Sequence, residues 1–479
     1  MKYGIKSIGS YLPYHYLPKS LIGASWGKGG KGEKSIADVD EDSITMAVEA
    51  ALGCFRLVKR EDIDALYFAT TTPSYAEKQN AALISVACDL DDDKVFSTDV
   101  LASTRAGSNA LRSALDAIKA KSAKNALVTA ADTRNGYPRS SQESDYGDGA
   151  AAVVVGEGKE SELLAEITYQ TFINEEINDY WRNADEKYTR HAEKRFCDEE
   201  GYQREVLAVL KKAFKETELT IQDFDKVVLV MQSAKVAKKV IAKNGISDEQ
   251  LVDTFLNNVG DTGAAQGLLG LNNALENAKS GEKILLVDYG NGASVTMLKV
   301  CSGIKKIKNN KQIEKYLATR APLDSYARFL SWRGIASAEP GTPYKVQPSW
   351  AQTWREQRIN LRLHGSVCNK CGSALFPINR VCDCCGARDD FHEFSAQEDI
   401  AKLYTFSIDE FAGQSDDPVI VQAIAELPNK AHIYTLMTDF KREEVKVDMD
   451  VEFTFRRFNE LGNFPNYFWK CRPLRREGK

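Results

Sequence analysis

The sequence has few features of a membrane or nucleic-acid-binding protein. None of its apolar runs reaches the ~18 residues that a membrane-spanning helix needs, and residues 1–18 lack the continuous apolar core of a signal peptide. A net charge of −5 over 479 residues gives no excess of basic side chains for nucleic acid. We therefore expect a cytoplasmic protein that binds neither membranes nor nucleic acids.

Histidine is scarce and unevenly placed. The sequence has five histidines, at positions 15, 191, 364, 392 and 432, so none lies between residues 192 and 363. Histidine is the side chain most often used to move protons at neutral pH. None is available to the strands and loops of that long stretch.

Cysteine, in contrast, is concentrated in one place. Five of the ten cysteines lie between residues 368 and 385, and in a cytoplasmic protein such a cluster indicates metal binding rather than disulfides. Two Cys-x-x-Cys pairs have the spacing of zinc knuckles, and we predict that they hold a structural zinc ion: Cys368, Cys371, Cys382 and Cys385. Cys384 competes as a ligand, although the glycine after Cys385 fits the knuckle turn better. The alternative is a ribbon that folds without metal.

The first 300 residues alternate strand-like and helix-like segments, which is typical of an α/β fold with a buried sheet. Glycine-rich turns lead into apolar strands twice, with YGDGA at 146–150 and YGNGA at 289–293. This weak repeat predicts a duplicated fold. Residues 157–203 are more polar and irregular, and we interpret them as an insertion between the two halves.

Residues 97–120 have the pattern of a strand, a sharp turn and a buried helix. The apolar residues of the helix recur at the spacing of one buried face: Leu111, Ala114, Leu115 and Ile118. Such a turn is a common place to present a nucleophile at a helix N-terminus. The turn, residues 102–107, is called the elbow below. It offers Ser103 and Thr104 but no cysteine.

A proline-containing linker at 336–349 separates this region from the C-terminal part of the chain. Five short strand-like segments follow the cysteine cluster and predict a five-stranded barrel of the OB type, at 402–408, 419–423, 431–437, 451–455 and 467–472. Many OB-folds bind nucleic acid, but the acidic residues of this segment argue against that use.

The expected organisation is therefore two α/β halves, a helix with a linker, a zinc ribbon and a small barrel. The corresponding boundaries are 1–165, 166–303, 304–350, 351–395 and 396–479.

Taken jointly, the motifs of residues 1–303 resemble those of the thiolase superfamily, in particular hydroxymethylglutaryl-CoA synthase and ketoacyl synthase III. The resemblance is carried by the elbow, ADT at 131–133, GDGAA at 147–151, GDTGAA at 260–265 and the turn at 290–293. Residues 351–475 resemble the rubredoxin-like zinc-ribbon and OB-fold domain that accompanies acyl-CoA thiolases and aldolases. The implied fold is a duplicated αβαβα core, followed by the ribbon and the barrel.

The resemblance implies acyl transfer, with formation or cleavage of carbon–carbon bonds in coenzyme A thioesters. In the family an elbow cysteine takes the acyl group, and a histidine, asparagine or glutamate moves the proton on the donor carbon. By resemblance, Thr104 stands at the cysteine position and Thr71 at the glutamate position. The histidine position falls near Met231 or Gln232, and the asparagine position is Asp261.

Two functions follow from this pattern. The first is a non-catalytic or divergent acyl-CoA-binding subunit, which forms a homodimer or pairs with an active thiolase-like paralogue. The second is an active acyltransferase or lyase of the Claisen or retro-aldol type, which uses Asp261 for proton transfer without a covalent cysteine. A Thr104 nucleophile needs an adjacent base, and Asp261 is the motif-matched carboxylate for that role. The alternative role of Asp261 is to cap the turn before Thr262.

Overall fold

The computed structural model describes residues 1–231, 234–308, 310–336, 349–411, 419–461 and 464–476. Most of the expected linker, residues 337–348, and Gln232 lie outside these ranges. The chain divides into two compact units, which are Met1–Asp38 with Asp42–Phe329, and Val39–Glu41 with Leu330–Lys479. Within the described ranges, no helix combines the length and the apolar character that a membrane crossing requires.

Within its described residues, the first unit contains fourteen strands and ten complete α-helices. Its strands are β1 (Lys2–Tyr11), β2 (His15–Pro18), β3 (Glu33–Ile36), β4 (Ala65–Thr70), β5 (Phe96–Leu101), β6 (Asn125–Asp132), β7 (Gly149–Gly158), β8 (Ala165–Asn174), β9 (Tyr180–Trp181), β10 (Arg190–His191), β11 (Lys226–Leu229), β12 (Lys283–Tyr289), β13 (Gly292–Val300) and β14 (Ala321–Pro322). Its helices are α1 (Lys19–Ser25), α2 (Ser43–Cys54), α3 (Asn80–Ala87), α4 (Ala106–Lys119), α5 (Ser141–Asp145), α6 (Lys194–Phe196), α7 (Arg204–Thr217), α8 (Ala234–Asn244), α9 (Gln266–Glu276) and α10 (Gln312–Ala318).

Nine of these strands form one sheet in the order β11-β12-β13-β8-β1-β7-β6-β4-β5. The strands β1 and β8 pair at its centre, and the pattern repeats on the two sides. On one side β7 is antiparallel to β6, which is parallel to β4. On the other side β13 is antiparallel to β12, which is parallel to β11. The predicted duplication of the α/β core is confirmed.

Residues 157–203 are not an insertion, contrary to the prediction. The strand β8 lies within this stretch and joins the two halves of the sheet, because it is antiparallel to both β1 and β13. Its side chains alternate between buried Ile167 and Thr171 and the exposed Thr168 and Phe172. A strand with one solvated face carries polar residues, so its composition concealed it.

The helix α4 packs against the strands of the first half through the predicted face. Leu111, Ala114, Leu115 and Ile118 are all buried. At its first turn the backbone comes so close to the loop before α9 that a Cβ at Gly107 would lie 2.4 Å from the carbonyl oxygen of Ala264. Glycine is therefore required there.

The second unit contains the ribbon and the barrel. The helix α11 (Tyr326–Trp332) contains the boundary between the units, and α12 (Trp350–Arg355) and α13 (Gln357–Asn360) follow. The ribbon strands are β15 (His364–Cys368), β16 (Ala374–Leu375) and β17 (Phe391–Ser395). A closed barrel in the order β18-β19-β20-β22-β21 is formed by β18 (Ala401–Asp409), β19 (Ile420–Glu426), β20 (His432–Met437), β21 (Asp450–Leu461) and β22 (Phe464–Pro473). The predicted five-stranded barrel is confirmed.

The second unit also contains a buried network of charged side chains. Three buried arginines converge on Asp439, with distances of 2.9, 3.3 and 3.2 Å from Arg456, Arg472 and Arg475. Arg456 also contacts Asp40 at 2.8 Å. Buried charges are tolerated only when opposite charges and hydrogen bonds compensate them. This pairing explains why Val39–Glu41 groups with the second unit.

Candidate functional site

The candidate site is formed by loops that follow the strands of both halves. Asp132, at the end of β6, holds these loops together. Its Oδ1 accepts hydrogen bonds from the amide nitrogens of Thr71 and Thr72, at 2.7 and 3.0 Å, and from the hydroxyls of Thr70 and Thr72, at 2.8 and 2.9 Å. Its Oδ2 accepts from the amide nitrogen of Ala264 at 2.8 Å. Since Asp132 is fully buried, these donors replace the water that a carboxylate needs.

The elbow contacts the turn between β12 and β13. The Thr104 hydroxyl donates a hydrogen bond to the carbonyl oxygen of Tyr289 at 3.1 Å, and the Ser103 hydroxyl donates to that of Gly290 at 3.2 Å. A Cβ at Gly290 would lie 2.6 Å from Thr104 Oγ1, so the approach requires glycine. Ala102 has a left-handed backbone with φ of 69°, which makes the elbow sharp. Thr104 therefore joins the two halves of the core.

Asp261 lies in different surroundings. Its Oδ1 forms an ion pair with Arg134 at 2.6 Å and accepts a hydrogen bond from the amide nitrogen of Gly263 at 2.9 Å. Burial lowers the pKa of Arg134, but the combined attraction of Asp261, Tyr146 and Asp132 holds that pKa above its usual value. In the described part of the chain, Asp261 and Thr104 share no hydrogen bond. The hydrogen bond that a Thr104 nucleophile needs from its base is therefore not formed with Asp261.

The other two positions assigned by resemblance are also located. The carbonyl oxygen of Thr71 accepts a hydrogen bond from Arg182 at 2.7 Å. Met231 follows β11 and is buried in an apolar cluster with neighbours that include Val236 and Leu229.

A cavity of about 350 Å³ lies beside Asp145, the residue whose backbone contacts Asp261. Its lining includes Met231, Lys19 and Asp145. The carbonyl oxygen of Asp145 accepts a hydrogen bond from the amide nitrogen of Asp261 at 2.7 Å, which connects the cavity to the site. Burial raises the pKa of Asp145 and lowers the pKa of Lys19, and the attraction between the two groups offsets part of each shift. Neither residue was identified from the sequence, because neither lies in a motif.

A buried polar cluster fixes the turn that Thr104 contacts. Arg105 lies 3.4 Å from the carbonyl oxygen of Asn291, and Glu205 accepts a hydrogen bond from the amide nitrogen of Gly292 at 2.6 Å. Burial raises the pKa of Glu205 to about 7 and that of Asp288 to about 6. Both carboxyls are protonated more readily than exposed acids, and neither was selected from the sequence.

The four knuckle cysteines come together in the ribbon. Their Sγ atoms all lie within 4.8 Å of one another: Cys368, Cys371, Cys382 and Cys385. Two of the Sγ–Sγ distances are 3.7 and 3.5 Å. Zinc–sulfur bonds of ~2.3 Å in a tetrahedron place sulfur atoms ~3.8 Å apart, so four thiolates arranged in this way fit one tetrahedral ion. Cys384 is exposed and is not one of the four.

Comparison with known proteins gives the family. Residues 98–171 match the family 3-oxoacyl-[acyl-carrier-protein (ACP)] synthase III, and residues 214–300 match the C-terminal part of that family. A hydroxymethylglutaryl-CoA synthase of Pyrococcus horikoshii is 30% identical over 338 residues, which cover 69% of this chain and 95% of the relative. The chain belongs to the hydroxymethylglutaryl-CoA synthase family.

Further comparisons agree with this family and with the fold. A hydroxymethylglutaryl-CoA synthase of Methanopyrus kandleri is 30% identical over 331 residues, covering 66% of this chain and 93% of the relative. A crystal structure of HMG-CoA synthase complexed with CoA matches with a TM-score of 0.62 and 20% identity, over 69% of this chain and 89% of that one. The 3-oxoacyl-[acyl-carrier-protein] synthase III of Aquifex aeolicus matches with a TM-score of 0.54 and 24% identity, over 62% and 99%. The resemblance to the thiolase superfamily and the predicted fold are confirmed.

We expect the substitution Glu205→Gln to stabilise the protein in a pH-dependent manner. The folded-state carboxyl keeps its proton up to a pKa of about 7, whereas the unfolded chain releases it near the ordinary value of 4.5. Folding is therefore opposed increasingly as pH rises between these values, by up to about 3 kcal/mol at pH 8. Glutamine is neutral throughout and still accepts the hydrogen bond from Gly292.

Urea unfolding at pH 5 and pH 8 tests this expectation. The variant and the wild type should differ little at pH 5, and the variant should be more stable at pH 8. The control is Glu216→Gln, because Glu216 lies on the same helix α7 and is exposed. An equal difference in the free energy of unfolding at both pH values would contradict the raised pKa of Glu205.

Proposed function

We propose that this protein is a divergent acyl-CoA-binding subunit, which acts in a complex on carbon–carbon bonds of acyl-CoA thioesters and forms no covalent acyl-enzyme. The observation that carries the proposal is the hydrogen bond of the Thr104 hydroxyl, which is donated to the carbonyl oxygen of Tyr289 and not to a base. A hydroxyl without a base is a poor nucleophile, because its pKa is far above neutral.

Two observations support coenzyme A thioesters as the ligand class. A relative named hydroxymethylglutaryl-CoA synthase matches this chain over 95% of its own length. One solved structure of the same fold is a complex with CoA. The cavity beside Asp145 has the volume of a small-ligand site, since such sites begin near ~300 Å³.

We expect no acyl adduct when the wild-type protein is incubated with acetyl-CoA or acetoacetyl-CoA and examined by intact-mass spectrometry. Thr104→Ser keeps a hydroxyl and should behave in the same way. Thr104→Cys introduces a thiol at a helix N-terminus, where the thiolate is favoured, and should gain the mass of one acyl group. Calorimetry should show that CoA binds to all three proteins. An acyl adduct on Thr104 of the wild type would refute the proposal.

A second candidate function is an active Claisen or retro-aldol catalyst that uses Asp261 for proton transfer. The observation in favour of this function is that Asp261 Oδ2 makes no hydrogen bond within the described ranges, so this oxygen is available to accept a proton. The ion pair with Arg134 weighs against it, because the Asp261 carboxylate is already bound to a cation through its other oxygen.

We also propose that the ribbon holds one structural zinc ion. The support is the set of four Sγ atoms at tetrahedral spacing, with donors that suit Zn²⁺. A site closed by four protein ligands has no open position for substrate, so the ion has no catalytic role.

Metal analysis of the purified protein should give about one zinc ion per chain. The double variant Cys368→Ser, Cys371→Ser removes two of the four thiolates and should lose the metal. Cys384→Ser is the matched control and should keep it, because Cys384 lies outside the cluster. Undiminished zinc in the double variant would show that the ion is bound elsewhere.

We propose further that the core associates through β5, as a homodimer or with an active thiolase-like paralogue. Among the described strands, β5 pairs only with β4 and leaves one edge open. Phe96 and Leu101, at its two ends, are 62% and 42% exposed. An open edge with apolar side chains favours pairing with another chain.

Light scattering of the purified protein should give the mass of a dimer, and Phe96→Glu should shift it toward the monomer by placing a charge at the paired edge. Phe172→Glu is the control, because Phe172 is similarly exposed on β8, which is paired on both sides. Co-purification with a subunit that has an elbow cysteine would identify the heteromer. A monomeric wild type with no co-purifying subunit would exclude both assemblies.

A further inference from the structure

We propose that Asp145 is a catalytic base, which removes a proton from the α-carbon of an acyl thioester bound in the cavity, while Lys19 stabilises the enolate oxygen. The proposal rests on the proposed function, because it requires that the core binds acyl-CoA. It assigns a proton-transfer role to a residue outside the family motifs.

Asp145 ends α5 and lines the cavity, and its carbonyl oxygen accepts a hydrogen bond from the amide nitrogen of Asp261. Met231, which stands at the histidine position of the family, lines the same cavity. The cavity is thus lined by a carboxylate, a lysine and the residue at the histidine position of the family. The backbone of Asp145 connects it to Asp261, at the asparagine position.

Asp261 has different contacts from Asp145. The Asp261 carboxylate is held by Arg134 and by the amide nitrogen of Gly263, and Asp261 is not among the residues that line the cavity. The Asp145 carboxylate, within the ranges that the structure describes, accepts no hydrogen bond. A carboxylate without donors is the stronger base, because nothing stabilises its charged form by hydrogen bonding. The raised pKa of Asp145 agrees with this difference, since a base is most effective when its pKa is close to the working pH.

Lys19 supplies a positive charge to the same cavity. It is the first residue of α1, and its Nζ lies 3.4 Å from the carbonyl oxygen of Leu256. It lines the cavity with Asp145 and attracts it electrostatically. A cation held in a partly buried cavity is well placed to stabilise the negative charge that develops on an oxygen atom.

The charge of the cavity indicates which part of the ligand enters. Three aspartates and one lysine line it: Asp145, Asp248, Asp253 and Lys19. This excess of negative charge repels the phosphates of coenzyme A. The ligand in the cavity is therefore the uncharged acyl–thioester end, and a volume of about 350 Å³ suits a small acyl group.

The reaction is balanced without any other reagent. The C–H bond at the α-carbon breaks, and the proton passes to the Asp145 carboxylate. The electron pair of that bond moves onto the thioester carbonyl oxygen and gives an enolate, whose charge is stabilised by the Lys19 ammonium. In the reverse direction the carboxyl returns its proton to carbon, so in D₂O the methyl hydrogens of acetyl-CoA exchange for deuterium.

The test measures deuterium incorporation into acetyl-CoA in D₂O, by NMR or mass spectrometry. We expect exchange catalysed by the wild-type protein, a loss of about 100-fold or more in Asp145→Asn, and a loss of about 10-fold in Lys19→Met. The matched control is Asp399→Asn. Asp399 is a partly buried carboxyl whose pKa burial also raises, but it lies in the second unit, so exchange should be unchanged.

Calorimetry with acetyl-CoA separates the possible failures. Binding without exchange by the wild type would overturn the role of Asp145 and leave the proposed function intact, whereas no binding would overturn both. Asp145→Asn should bind acetyl-CoA as the wild type does, which also shows that the variant is folded. Exchange that survives in Asp145→Asn overturns the proposal, and its loss in Asp261→Asn would then assign the proton transfer to Asp261.

Discussion

The candidate site depends on one buried carboxylate. Asp132 accepts hydrogen bonds from the loop after β4 through one oxygen and from Ala264 through the other. Ala264 in turn lies against Gly107, at the first turn of α4. The position of the elbow helix is therefore linked to a carboxylate on a neighbouring strand. Loss of that carboxylate would leave several buried donors without an acceptor, which is among the more costly defects in a protein interior.

Three aspartates in this region have three different environments and therefore three different chemistries. Asp132 is saturated with donors and is structural. Asp261 is held by an ion pair with Arg134, which occupies one of its carboxylate oxygens. Asp145 lies in a cavity without donors of its own, and this is the environment in which a carboxylate accepts protons most readily. Residue type alone does not distinguish these roles, but the surroundings do.

Local patterns in the sequence were sufficient for much of the fold. The buried face of α4, the repeated glycine turns and the five barrel strands follow from periodicity and turn residues, which involve neighbours along the chain. The strand β8 was not predicted, because polar residues on its solvated face make the segment look like an irregular insertion. The links from Asp132 to Ala264 and from Arg134 to Asp261 join residues more than a hundred positions apart. No periodic signal reports such pairs, so the sequence identified Asp261 but not its partner, and did not identify Asp145.

The hydrogen bond from Thr104 to Tyr289 also limits how this elbow can evolve. A cysteine at the same position would be a better nucleophile but a weaker hydrogen-bond donor, so reactivity would be gained by loosening the contact between the two halves. A neutral hydrogen bond contributes about 1 kcal/mol, a noticeable fraction of the stability of an ordinary domain. In this chain the elbow lies on the stable side of the trade-off between stability and activity.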